Sequence, residues 1–389
     1  MNQKPLALVL GIRPDVIRAS ILIRELRKAM GGNFLLIWSG QHYSDNLKDV
    51  FFRELGVAAP EIELNIQGET DAELSASMIN QLSKCLREVD PKLVVFLGDT
   101  NTVIGTVAAA QLNIPIVHIE GCMRSYDWRM PEEKYRTIAD HLSDRIYAYL
   151  PEYKKQGLAE GIPSENIVVT GNPIVDVLEE YFVSGKLRME ANDFDDLLSE
   201  KYGVEKNKYF VMTCHRRENV EDLNSLTRIL DLAASCDNPV LFAAGYRTQK
   251  MISKFGIKLS KNVQVFDPIG YLELLELMVY SKGVLTDSGT VVEEACILGI
   301  PTIQMRRSTE RPEVYIVGSS IKFDPASDQN HKDVLDKFYR IIPGSWDHIF
   351  GDGKASYRIC EDLLECWSRD DFTGHSPSNK IEFSSRSYM

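Results

Sequence analysis

Short runs of Val, Ile and Leu, apolar on consecutive residues, recur along this chain and alternate with longer stretches of helical period. A strand that is apolar at every position is buried on both faces, which is the signature of a parallel sheet covered by helices on each side. In the first half the runs are Leu6–Ile12, Phe34–Ser39, Leu93–Leu97, Ile114–Ile119, Ile146–Leu150 and Ile167–Thr170. Between them Val16–Met30, Ser44–Leu55, Ala72–Val89 and Thr102–Leu112 carry apolar residues at i, i+3 and i+4, the stripe of a helix lying on a sheet. The alternation restarts with Tyr209–Thr213, Val240–Ala244, Val263–Phe266, Gly283–Thr286 and Thr302–Met305. Glu179–Lys208 separates the two sets; it is charged and poor in strand signals. The pattern predicts two successive doubly wound α/β domains, 1–175 and 206–350, and 389 residues suit two domains. Such sheets bind ligands at the carboxyl ends of their strands, so two Rossmann-like domains facing each other are expected to form a cleft.

Composition excludes several function classes. No apolar run approaches the ~18–20 residues that cross a bilayer, so no membrane span is expected. The opening Met-Asn-Gln-Lys-Pro leads into a strand pattern without a small-residue cleavage site, so no secretory leader is expected either. Lys and Arg total 44 against 56 Asp and Glu, a formal net charge of −12. Such a chain repels nucleic acid, and an anionic ligand must be met by a few placed cations and backbone dipoles. The 7 cysteines are widely spaced with no Cys-x-x-Cys, which argues against a disulfide framework and for a reducing cytoplasm. The closing stretch 368–389 is rich in Ser and Asp with little apolar pattern and reads as a loosely held tail.

Chemistry-bearing residues cluster where strands end. Leu10-Gly11-Ile12-Arg13-Pro14-Asp15 turns from a strand into a helix, with Arg13 at the helix mouth, where a guanidinium and free amides suit a phosphate. Arg18, three residues after Asp15, has the spacing of a helical ion pair. Asp99 stands at the end of another strand just before a helix, as a functional carboxylate or as a helix N-cap. Alternation places His118 and Glu120 on one side of a strand end, as a mutually paired couple or as functional groups. Glu132 and Glu133 follow Pro131 in a helix first turn. In the second half His215 precedes Arg216 and Arg217, a setting for an anion rather than a metal, since no second His lies at ligand spacing. Ser288-Gly289-Thr290 opens a helix after a buried strand, so their amides suit an anion nest; Thr290 and Glu293 have capping-box spacing, which leaves Glu294 available for ribose hydroxyls.

Taken together, Gly11–Asp15, Gly98-Asp99-Thr100, Glu120, Pro131-Glu132-Glu133, His215–Asn219, Thr286–Gly289, Thr309–Glu313 and Gly351–Ser356 resemble the non-hydrolysing UDP-N-acetylglucosamine 2-epimerase family, in unbroken order along the chain. The resemblance implies a glycosyltransferase-B-like pair of domains, with a C-terminal helix, 351–367, packing back on the first. It implies inversion at C2 of a UDP-linked 2-acetamido sugar without a cofactor or metal: UDP is eliminated to a 2-acetamidoglycal and added back with the proton on the opposite face. Asp99, Glu120 and Glu132 would form the acid/base pool and His215 would assist. Arg13 and the Ser288-Gly289-Thr290 nest would hold the diphosphate, and Glu294 the ribose. A homodimer serving surface-polysaccharide precursor synthesis is the corresponding expectation.

The chain departs from the family pattern at several positions. Ile12 stands for a Thr, Gly121-Cys122 for Ala-Gly, Tyr135 for an Asn, Gly245-Tyr246 for a segment with His, and Leu274 for an aromatic near the uracil. Gln41-His42 of the effector loop is present, but Ser44 replaces the next Gln. Arg124–Pro131 resembles relatives that epimerise modified sugars such as 2,3-diacetamido uronic types. The alternatives are a hydrolysing 2-epimerase, a glycosyltransferase of the same fold, and a catalytically silent nucleotide-sugar binder.

Overall fold

The computed structural model describes residues 4–40, 55–185, 188–369 and 372. Two compact units divide it: 1–177 with 351–389, and 178–350. The expected helix over Ser44–Leu55, the effector-loop residues and most of the expected tail lie outside the described residues.

The first unit holds a seven-stranded sheet in the order β3-β2-β1-β4-β5-β6-β7. Its strands are β1 Leu6–Leu10, β2 Phe34–Trp38, β3 Ile62–Glu63, β4 Leu93–Leu97, β5 Ile116–Ile119, β6 Arg145–Ala148 and β7 Ile167–Val169. Every pairing is parallel, with Leu6 opposite Phe34 on one side and Leu93 on the other. All five residues of β1 and of β4 are buried, the two-faced burial that their unbroken apolarity requires. β3 was not expected from the sequence. It is a two-residue edge strand, too short and too exposed to leave an apolar run.

The second unit repeats the plan with six parallel strands: β8 Phe210–Thr213, β9 Val240–Ala243, β10 Val263–Phe266, β11 Val284–Thr286, β12 Thr302–Met305 and β13 Ser320–Phe323, ordered β10-β9-β8-β11-β12-β13. β13 also escaped the sequence reading, because this edge strand exposes Lys322 and half-exposes Ile321. Within the charged stretch read as a separator, Ala191–Asp196 and Leu197–Tyr202 are helical, and Phe194, Leu198 and Tyr202 are buried with Tyr209 and Val211 of the second unit. Beyond Gly351 the chain is again part of the first unit. Asp176 accepts the amides of Ala355 and Ser356 at 3.1 and 2.5 Å, anchoring the start of helix Ala355–Ser368.

Both sheets change direction of winding beside their first strand, between β1 and β4 and between β8 and β11. In open α/β sheets the strand ends at that switch point face outward with no crossover above them, and ligands bind there. Gly11, Asp99, His215 and Asp287 all follow these four strands directly or within two residues. No helix among the described residues is long and apolar enough to cross a membrane.

Candidate active site

In the first unit three strand ends converge through arginines. After β1 the chain turns at Gly11 into helix Arg13–Met30, and a Cβ on Gly11 would lie 1.8 Å from Thr102 Oγ1, so only glycine lets the two turns approach. Asp15 accepts the Gly11 and Ile12 amides at 3.4 and 3.3 Å and Arg18 Nη2 at 2.8 Å. The ion-pair spacing of Asp15 and Arg18 is thus realised, but Arg18 also pairs with Glu120 at the end of β5. Glu120 receives a further hydrogen bond from the Tyr149 hydroxyl at 3.2 Å. It lies outside β5 with φ of 75°, so the alternation that placed it beside His118 ends one residue earlier, and the two are not a couple.

Asp99 is not the helix cap. A 3₁₀ turn, Asn101–Gly105, follows with Thr100 at its N-cap, and the Asp99 carboxylate instead pairs with the fully buried Arg136 of helix Pro131–Leu142. Arg136 also holds Glu133 at 2.9 Å. Glu133 is a structural clamp: it accepts the Ser125 and Tyr126 amides and the Ser125 hydroxyl at 2.8–3.0 Å, fixing Tyr126 at a φ of 58° that a bulky residue rarely adopts. Glu132, its neighbour in the first turn, is only partly buried. Two buried arginines are thus each shared by two carboxylates, Arg18 by Asp15 and Glu120 and Arg136 by Asp99 and Glu133, whose uncompensated burial would cost several kcal/mol.

Asp15 carries a pH signature. Burial, opposed by the Arg18 charge and reinforced by Asp99, pushes its carboxyl up from 3.8 to about 6. A raised folded-state value stabilises the protein fully below the ordinary carboxylate range, and that contribution is lost as pH rises through about 6. Asp15→Asn is expected to flatten the fall in melting temperature between pH 4 and 7 in a thermal scan, by the equivalent of on the order of 3 kcal/mol. An unchanged slope would contradict the assignment.

In the second unit Asp287, fully buried after β11, organises the loop after β8. It accepts the His215 and Arg216 amides at 3.0–3.1 Å and Asn219 Nδ2 at 3.0 Å, while the Arg216 guanidinium donates to its carbonyl at 3.1 Å. Burial would raise its carboxyl, but the His215 charge and these donors outweigh burial and hold it below the usual range. The His215 side chain, at 58% exposure, has Nδ1 3.4 Å from Asp287.

The helix after β11 runs Gly289–Ile297, and its N-cap is Ser288, whose hydroxyl accepts the Val291 amide at 3.3 Å. This corrects the capping box expected at Thr290 and Glu293. Glu293 is buried and ion-paired with Arg311, Nε 2.7 Å away, a partner that spacing within the helix could not reveal. The nest is also narrower than three amides, because the Ser288 amide donates to Thr286 Oγ1 at 3.0 Å. Gly289 and Thr290 keep first-turn amides that no helical carbonyl can reach. Arg311 lies behind them: a Cβ on Gly289 would approach its guanidinium to 2.6 Å. Glu294 is buried and accepts the Tyr271 hydroxyl at 2.8 Å.

Arg13, Asp99, Glu120 and Glu132 thus belong to the first unit, and His215, Ser288, Gly289, Thr290 and Glu294 to the second. Sequence reading missed Arg136, Asp140, Tyr271, Asn219 and the role of Arg311. The available signal was a charged residue on the apolar face of a helix, as Arg136 is beside Ala139. Among the described residues no group of three or more His, Cys, Asp and Glu is placed to hold a metal ion.

The sequence pattern of the UDP-N-acetylglucosamine 2-epimerase family matches residues 24–364. The chain is similar to the UDP-N-acetylglucosamine 2-epimerase of Methanocaldococcus jannaschii, with 36% identity over 91% of this chain and 97% of that protein. It is also similar to the UDP-2,3-diacetamido-2,3-dideoxy-D-glucuronate 2-epimerase of Pseudomonas aeruginosa, with 31% identity over 92% and 98%. Among solved structures, the M. jannaschii enzyme in complex with UDP-GlcNAc and UDP superposes with a TM-score of 0.84 at 34% identity, over 93% of this chain and 99% of that one. The Neisseria meningitidis enzyme bound to UDP-GlcNAc gives 0.80 at 28% identity, over 93% and 100%. Sequence pattern, relatives and two doubly wound sheets agree along nearly the whole length: the chain belongs to the UDP-N-acetylglucosamine 2-epimerase family.

Proposed function

We propose that the protein inverts C2 of a UDP-linked 2-acetamido sugar by eliminating and re-adding UDP. The observation that carries this reading is the pair of carboxylates at neighbouring strand ends, Asp99 after β4 and Glu120 after β5, paired with two different buried arginines. The C2 proton has no adjacent carbonyl to acidify it. Its removal therefore requires the C1–O bond to UDP to break in concert or first, which charges the departing diphosphate. Cations and amides must meet that charge, and carboxylates must exchange a proton on both ring faces.

In this reading Asp99, Glu120 and Glu132 exchange protons at C2, His215 assists, and Arg13 with the amides of Gly289 and Thr290 and the Ser288 hydroxyl holds the diphosphate. Glu294, oriented by Tyr271, accepts from the ribose. One carboxylate takes the proton as the C1–O electrons leave with UDP, giving the 2-acetamidoglycal; another returns a proton to the opposite face as UDP adds back. The protein works as a homodimer in the cytoplasm on precursors of surface polysaccharides. The P. aeruginosa relative supports a modified 2-acetamido sugar as a second substrate candidate.

Proton NMR in D2O with UDP-GlcNAc and with UDP-2,3-diacetamido uronate tests the proposal. Solvent deuterium at C2 and a mixture of C2 epimers still bearing UDP are expected for one of them. Free sugar would mean hydrolysis, and tight UDP binding with an unchanged spectrum would mean a silent binder; either overturns the reading.

A further inference from the structure

His118 and Asp140 lie fully buried behind the two strand ends that carry Asp99 and Glu120, and the mechanism above makes no use of them. His118 Nε2 is 2.8 Å from the carbonyl oxygen of Gly98, the residue that precedes Asp99 and turns at a φ of 87°. A carbonyl can only accept, so Nε2 carries the proton of that bond. His118 Nδ1 is 2.8 Å from Asp140 Oδ1. The other Asp140 oxygen accepts the Cys122 amide at 2.9 Å and Arg124 Nη1 at 2.7 Å. Burial works to raise the Asp140 carboxyl, yet His118 and Arg124 together hold it below the ordinary range, so it stays an acceptor.

The turn that Asp140 grips is strained. Glu120 and Cys122 sit at φ of 75° and 65°, conformations that cost side-chain-bearing residues on the order of 1–3 kcal/mol each unless the surroundings over-determine them. The Glu120 and Gly121 amides donate to the Tyr147 carbonyl at 3.1 and 3.2 Å, and Asp140 supplies the remaining anchor at Cys122. The pair also fills the space under the turn: a Cβ on Gly121 would lie 2.6 Å from Asp140 Oδ1 and 3.3 Å from His118 Nδ1.

We propose that His118 and Asp140 are positioning residues that lock the Gly98–Asp99 and Glu120–Cys122 turns to one another and so fix the spacing of the two proton-handling carboxylates. This inference rests on the proposed function, since it concerns the groups assigned to C2. Asparagine places its polar atoms near the Nδ1 position of histidine and glutamine near Nε2, so the two substitutions separate the links. His118→Asn keeps a contact to Asp140 and releases Gly98; His118→Gln keeps the donor to Gly98.

His118→Asn is expected to lower kcat about 100-fold, the scale of a misplacement near 1 Å, with KM changed by less than about threefold. Binding of UDP alone, measured by calorimetry, is expected to stay within about twofold of the parent, because its proposed partners lie largely in the other unit. His118→Gln is expected to recover about tenfold of the lost kcat. The inference falls if both variants keep the parent kcat, if glutamine is no better than asparagine, or if kcat falls only in step with UDP affinity. Should His118→Asn not fold, Asp140→Asn, which keeps an oxygen for the Cys122 amide, decides: unchanged kcat overturns the inference, and a drop with UDP affinity intact supports it. A parent without C2 exchange on any UDP-sugar overturns the function and this inference with it, whereas an active parent with unaffected variants overturns the inference alone.

Discussion

Asp99→Asn is expected to reduce C2 epimerisation about 1000-fold while leaving UDP binding intact. Loss of one general acid/base group costs on the order of 10²–10⁴ in rate. The asparagine keeps the size and one acceptor oxygen of the side chain, and Arg136 retains Glu133 as its counter-charge, so the fold of the first unit should survive. The informative measurement is deuterium wash-in at C2 from each epimer separately, with Glu120→Gln run beside it. A variant that lacks the group for one face should still exchange the C2 hydrogen of the epimer whose own group remains, without interconverting the two. If Asp99→Asn silences exchange from one epimer and Glu120→Gln from the other, each carboxylate is assigned to a face. Undiminished interconversion in Asp99→Asn would remove Asp99 from the chemistry.

The largest effect on stability is expected from Arg311→Leu. Arg311 is buried and ion-paired both with Glu293, at 2.7 Å from Nε, and with Glu310. Removing one partner of a buried ion pair leaves carboxylate charge in a medium that solvates it poorly, which costs about 3–5 kcal/mol. For a unit of this size that corresponds to a fall in melting temperature of roughly 10 °C. Arg306 continues to hold Glu310 at 2.8 Å, so Glu293 bears most of the loss. Adding Glu293→Gln should therefore restore part of the stability, and a urea titration of parent, single and double variants measures it. A single-variant loss below about 1 kcal/mol, typical of a surface pair, would show that the cluster is hydrated rather than buried. UDP affinity should fall in the same variant, because the guanidinium lies directly behind Gly289 at the head of the proposed diphosphate nest.

Local pattern was sufficient for the α/β class, for eleven of the thirteen strands among the described residues and for the places where chemistry-bearing residues gather. The reason is physical: a strand covered on both faces must be apolar at every position, and a chain leaving such a strand meets solvent and ligand at its carboxyl end, whatever else the protein does. β3 and β13 escaped because these two edge strands are half wet and left no such run. Asp99 was visible as a strand-end carboxylate, but its arginine is 37 residues away, on a helix that touches it only in the folded chain. The same holds for Glu293, which capping-box spacing assigned to Thr290 and packing assigned to Arg311. His118 and Glu120, two apart on what reads as one strand, were separated by a left-handed turn that alternation cannot encode. Backbone periodicity is a property of neighbours along the chain and survives in the bare sequence. The pairing of buried charges is a property of neighbours in space: each carboxylate takes whichever cation the packing of two elements delivers, so tertiary structure alone decided which acidic groups hold backbone turns together and which pair with a distant arginine.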